Sequence, residues 1–149
     1  MKNKWFIKLG SKKRGEAGAV IVMVAIVLIV LIGIAALAVD VGYLMASRNE
    51  LQNAADASAL AATRRLGSIY ESTSYAAQLT YVCNPGDIIP VAQAAALDNK
   101  AAGQAVTVLN ADVVIGTWDP ASKTLTPTLN QPDAVRVTTR RDPSVAAGQ

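Results

Sequence analysis

A chain of 149 residues provides for one small domain and an anchor, and is too short for two full globular domains. It is 52% hydrophobic but only 5% aromatic, so Ala, Val, Leu and Ile carry the apolar content. The net charge of +3 divides unevenly, with six basic residues and one acidic residue in positions 1–16, and eight basic against ten acidic residues from position 40 onwards.

Lys2, Lys4, Lys8, Lys12, Lys13 and Arg14 make a short basic tail over residues 1–16, opposed only by Glu16. Nucleic-acid binding calls for cations on a folded face with groove-fitting or aromatic partners. These six lie beside an apolar run instead, which speaks against a nucleic-acid partner and for a role as topology determinants at a lipid bilayer. Trp5 and Phe6 fit either an interfacial anchor or an unstructured tail.

Residues 17–39 form an uncharged run of 23. At about 1.5 Å per residue a helix of this length spans roughly 34 Å, slightly more than a hydrocarbon core of about 30 Å. Its many β-branched residues weaken a helix in water, but in lipid every backbone polar group must be bonded within the segment, so a transmembrane helix is expected. The basic flank predicts a cytoplasmic N-terminus, with residue 40 onwards extracytoplasmic. A cleaved signal peptide is the rival, because Ala36-Leu37-Ala38 has the small-x-small pattern of a cleavage site. The apolar run is longer than the usual h-region of about 7–15 residues, which favours the retained anchor.

Residues 40–67 lack proline and are rich in alanine, predicting an extracytoplasmic stalk helix that Gly67 stops. Leu44, Leu51, Ala55, Ala62 and Leu66 fall near one stripe. Anchor and stalk together predict one helix of about 50 residues, roughly 75 Å long. Ala38, Gly42 and Ala46 recur every four residues as a small-xxx-small helix-packing ridge. Packing of this face on the protein's own domain and on a partner helix, including self-association through a second copy, both stay open.

Residues 68–149 read as a small α+β extracytoplasmic region. A short helix is expected over 74–82, then a turn at Asn84-Pro85-Gly86-Asp87. Pro90 in a first helical position opens a second helix ending near Gly103. The β-branched residues of 105–118 predict a strand, Asp119-Pro120-Ala121-Ser122-Lys123 a turn, 123–126 a short return strand and 134–140 a better one. Pro127 and Pro132 break the ladder between those two. The fold class is therefore α+β: a long N-terminal transmembrane-plus-stalk helix, then a small antiparallel sheet with one or two short helices. So thin a core needs support from the stalk helix, a partner chain or both, and an uncovered strand edge suits partner addition.

The sequence Arg14-Gly15-Glu16-Ala17-Gly18-Ala19-Val20, the apolar run, Ala35-Ala36-Leu37-Ala38-Val39-Asp40-Val41-Gly42-Tyr43 and Leu51-Gln52-Asn53-Ala54-Ala55-Asp56-Ala57-Ser58-Ala59-Leu60-Ala61-Ala62 together resemble the N-terminal module of TadE/TadG-like proteins of the bacterial Tad (tight adherence, Flp) pilus-assembly systems. Val114-Ile115-Gly116-Thr117-Trp118-Asp119-Pro120 and Asp133-Ala134-Val135-Arg136-Val137 look like the extracytoplasmic β segment of TadG-like proteins. The resemblance implies a bitopic envelope protein of the bacterial inner membrane, without catalysis, whose partners are pilus or envelope assembly proteins. The pseudopilin branch carries a glutamate five residues after a processed glycine. Five from Gly15 is Val20, and residues 20–39 hold no glutamate, which points to the TadG-like branch. TadG-like chains are usually longer, so a short form or a truncated product is expected.

No catalytic, cofactor-binding or metal-binding residues are assigned. The sequence has no histidine, hence no side chain of the commonest general base and metal ligand, and none to activate a serine or Cys83. Cys83 is the single cysteine, which rules out an intramolecular disulfide and leaves a free thiol as the expectation over a partner-chain bridge. Asp56-Ala57-Ser58-Ala59-Leu60 starts like a metal-ion adhesion motif, but its last position is Leu60 and it lies in predicted helix. The other acids, Glu71, Asp87, Asp98, Asp112, Asp119, Asp133 and Asp142, show no paired spacing and read as surface and turns. The expected function is a membrane accessory protein of pilus assembly or anchoring. The alternatives are a pilin-like subunit packed by its apolar helix into a filament, or a secreted domain cleaved near Ala38.

Overall fold

A computed structural model describes the backbone of residues 14–141 and the side chains of residues 18–141. The first element is one helix, α1 (Arg14–Ser72). The chain divides into two units with the boundary after Gly42, inside that helix.

In the first unit the 18–39 stretch of α1 is apolar all round. Its most apolar stretch reaches a mean hydropathy of 3.4 with none of it buried, and it is long and apolar enough to cross a membrane. Every large apolar side chain from Val20 to Val39 is at least 54% exposed. A helix with no polar face has no preferred side to turn to a core and suits a solvent that is itself apolar.

In the second unit the same helix is one-sided. Ala54, Ser58, Ala62 and Leu66 are buried, each four residues after the last, with Leu51, Ala59, Ile69 and Tyr70 half-buried beside them. That spacing keeps side chains on one helical face. The predicted stripe is thus corrected in three places: Leu44 is exposed, Ala54 takes the buried position instead of Ala55, and the polar Ser58 sits in the buried row. Ser58 tolerates burial because its hydroxyl donates to the Ala54 carbonyl at 2.7 Å. Gly67 does not stop the helix, which runs on to Ser72. Glycine in a helix interior costs about 1 kcal/mol. The next turn brings Ile69 and Tyr70 against the core, and the Tyr70 hydroxyl donates to the Pro132 carbonyl at 3.0 Å.

After a short helix, α2 (Tyr75–Gln78), comes α3 (Pro85–Leu97). Here the expected turn is the helix start. Asn84 caps it by accepting from the Gly86 N–H at 3.0 Å, and Pro85 occupies the first turn, where its missing N–H costs nothing. Pro90 therefore falls inside α3 instead of opening it. Ile88, Ala92 and Ala96 bury one face of α3, and that burial outweighs the one helical hydrogen bond proline forgoes. The helix ends at Leu97, short of Gly103, because Lys100–Ala101 (β1) and Gln104–Ala105 (β2) pair as a hairpin around Ala102 and Gly103, both at positive φ.

The long predicted strand over 105–118 is divided. Val106 and Val108 are buried but lie outside any strand, a 3-10 turn at Asn110–Asp112 follows, and the strand proper is β3 (Val113–Asp119). β4 (Thr124–Pro127) and β5 (Ala134–Val137) flank β3 in an antiparallel sheet of order β4-β3-β5. β5 ends at Val137 instead of Arg140, and Pro127 closes β4 at its last pair, opposite Gly116. Val113, Ile115 and Val137 turn one face of the sheet inward, where Ile88 of α3, Leu66 of α1 and Cys83 complete the core. The α+β class predicted from the sequence is the fold observed.

Gly116 sits where two backbones meet. A Cβ there would lie 2.2 Å from the Thr126 carbonyl oxygen, so only glycine lets β3 and β4 approach this closely. The segment after β5 fastens this unit to its own stretch of α1. The Thr139 hydroxyl donates to the Leu51 carbonyl at 2.9 Å, Arg140 pairs with the buried Asp112, and the Arg141 guanidinium donates to the Ala101 carbonyl at 3.2 Å. From the helix side, the Glu50 carboxylate accepts from the Ala102 N–H at 2.6 Å.

Candidate interaction surface

The chemistry sought in the sequence is occupied by structure. Asp56 and Ser58 lie two apart on a helix and so point to different sides. Asp56 accepts from Gln52 at 2.9 Å on the exposed face while Ser58 is buried. Among the described residues no three His, Cys, Asp or Glu side chains come together as a metal site. Asp112 is 4% exposed, but Arg140 and the Leu109 N–H satisfy its carboxylate. Asp119 holds a turn: the Ser122 hydroxyl and the Ala121 N–H donate to its carboxylate and keep its pKa below the usual value.

Cys83 is a free thiol, 2% exposed, beside Tyr81. Burial pushes its pKa up, a hydrogen bond with Tyr81 works against that, and Asp87 adds to the rise. Such a thiol is a poor nucleophile at neutral pH. Tyr81 and Tyr70 meet edge to face with ring centroids 5.2 Å apart. Burial and the neighbouring Cys83 raise both phenols, Tyr81 to about 12. This cluster packs the junction of α1, the 81–83 segment and the 129–133 loop, where Cys83 N–H donates to the Leu129 carbonyl at 2.8 Å and Gln131 N–H to the Tyr81 carbonyl at 3.0 Å.

Of the sequence-predicted site residues, Ala38, Gly42 and Ala46 are each exposed, and a Cβ added to Gly42 would meet nothing within 4 Å. Lys2, Lys4, Lys8, Lys12 and Lys13, with Trp5 and Phe6, lie outside the described residues, and Arg14 is described only as the first backbone position of α1.

The second unit carries an open groove of about 800 Å³. One wall is α1 at Gln52, Ala55, Asp56 and Ala59; the other is β5 and its continuation to Thr139. Trp118, 47% exposed, and the start of β4 also line it. Sequence reasoning named none of these residues as a site. The sequence predicts a strand over 134–140 and an uncovered edge suited to partner addition, without specifying which strand forms that edge.

Residues 18–78 match the family model described as "Putative Flp pilus-assembly TadE/G-like" (Tad). The match begins in the apolar part of α1 and ends on the last residue of α2, covering less than half of the chain and leaving the sheet outside it. No curated protein matches the chain. No solved structure does either. The resemblance read from the sequence therefore holds over the helical module: residues 18–78 are similar to the TadE/G-like Tad domain, and the helix that fills most of the match is long and apolar enough to cross a membrane.

Proposed function

We propose that this protein is a TadG-like, single-pass accessory protein of Flp-type pilus assembly or anchoring. It sits in the inner membrane with its N-terminus cytoplasmic and the α+β unit on the extracytoplasmic side. The observation that carries this reading is the wholly exposed apolar half of α1 inside a TadE/G-like match. The orientation rests on six basic residues before the span against Arg48 alone close behind it. The role is non-catalytic and mechanical. In support, the sequence has no histidine and its one thiol is buried with a raised pKa.

Protease shaving of spheroplasts tests it. A protected fragment of residues 1 to about 40 is the expected product. Digestion of the basic tail with protection of the α+β unit would reverse the orientation.

The second reading is a pilin-like subunit, and the exposure of Ala38, Gly42 and Ala46 favours it to the extent that small side chains allow close helix packing in a filament. Recovery of the chain from sheared surface filaments, with a processed N-terminus, decides for the subunit. Recovery only from washed membranes at full length decides for the accessory role. Signal cleavage near Ala38 is tested by the same N-terminal sequencing; α1 runs through that position without a break.

A further inference from the structure

The two edges of the three-stranded sheet are not equivalent. On β4, the Thr128 N–H donates to the Ile115 carbonyl at 3.2 Å. In an antiparallel ladder alternate residues bond the neighbour, so Thr124 and Thr126 also face β3 while Leu125 and Pro127 face outward. Pro127 has no N–H to offer, and that edge is blunted. On β5, the Thr138 N–H donates to the Asp112 carbonyl at 2.9 Å, which turns Arg136 toward β3 and the backbone groups of Val135 and Val137 away from it. Among the described residues none of those four N–H and C=O groups has a hydrogen-bond partner. They border the groove between β5 and α1.

We propose that the open edge of β5 takes an extended segment of a partner polypeptide as a fourth strand, laid in this groove, with an acidic side chain of that segment meeting Arg136. Unpaired backbone donors and acceptors in register specify another backbone as their complement. The charge selects which one. Lys123 and Arg136 line the groove, and among the described residues neither pairs with a carboxylate. The one acid on the lining, Asp56, already accepts from Gln52. A second copy is disfavoured as the occupant, because two β5 strands paired across a two-fold axis would bring Arg136 toward Arg136, and like charges across a ladder repel. The inference is independent of the pilus reading, since it stands on the backbone and charges of the second unit alone.

The test uses the full-length chain in detergent micelles. The probe is a blocked seven-residue peptide alternating valine and threonine around a central glutamate. Saturation is expected to slow amide exchange of Val135 and Val137 at least tenfold, and methylating alternate peptide nitrogens is expected to weaken binding at least tenfold. Val135→Pro removes one edge donor and is expected to lower affinity about tenfold. Arg136→Glu leaves the backbone intact and is expected to exchange the preference for the glutamate peptide for one with a central lysine. The proposal is overturned if the peptide does not bind, if it binds without protecting the two amides, or if the N-methylated peptide binds equally well. It is also overturned if the chain alone self-associates with both amides protected, which would make a second copy the occupant.

Discussion

Two stretches of one helix, residues 18–42 and 43–72, are built from similar small and aliphatic side chains and meet opposite fates. The first is apolar on every side as far as Val39, with Asp40 next, and is exposed on every side. The second alternates a buried row, Ala54, Ser58, Ala62 and Leu66, with charged and amide residues such as Arg48, Gln52, Asp56 and Arg64 that stay exposed. Total hydrophobicity is a poor guide to which side chains are covered by protein; the angular distribution around the helix decides. A small side chain also serves differently in each. Ala54 and Ala62 are 0% exposed within the core cluster, whereas Ala38 and Gly42 are exposed and a Cβ added at Gly42 would meet nothing within 4 Å.

Substitutions of one kind placed in both stretches test that contrast. The largest effect is expected from Leu28→Arg with Leu31→Arg, since an arginine at the centre of a span costs roughly 2.5–3.5 kcal/mol each. The double variant should leave the carbonate-resistant membrane fraction; its retention there would show that residues 18–42 are not the anchor. Next, Leu66→Ala should lower the unfolding free energy of the second unit by about 2–5 kcal/mol, while Leu37→Ala leaves it unchanged. Trp118 fluorescence during denaturation reads both, and equal losses would dissolve the distinction between the two stretches. Smaller again, Gly116→Ala should cost about 1–3 kcal/mol through the clash with Thr126. Gly42→Ala should be neutral or raise helix stability by up to about 1 kcal/mol, and a loss of membrane complexes in that variant would identify Gly42 as a contact with a partner helix.

The smallest effect is alkaline. Tyr81, raised to about 12 in the folded chain from an ordinary value of 10, favours the neutral form more strongly than the unfolded chain does. Its contribution is complete below about pH 10 and declines as pH rises toward about 12, because there the unfolded state gives up its proton first. Tyr70 and Cys83 shift in the same direction. Phenolate absorbance followed alongside unfolding should show the Tyr81 ring ionising last, and a normal titration for it would remove the buried-cluster explanation.

What the sequence could disclose followed from periodicity and composition. The uncharged run, the α+β class and the TadE/G-like module were legible because each is written in local order: length, flanking charge, and motifs in register. The errors arose where a local signal met a tertiary contact. Gly67 reads as a stop, but Tyr70 reaches Pro132 and the helix continues. Asn84-Pro85-Gly86-Asp87 reads as a turn and is also a cap with proline in a first turn, and the face buried by Ile88, Ala92 and Ala96 settles which. Val106 and Val108 have strand propensity and are buried without a partner strand, since the hairpin and the 3-10 turn on either side fix where pairing begins. The groove beside β5 was the least legible feature. It is formed by residues about 80 apart in the chain, Ala55 and Val135 among them, and no one-dimensional pattern records which strand edge a fold leaves unpaired.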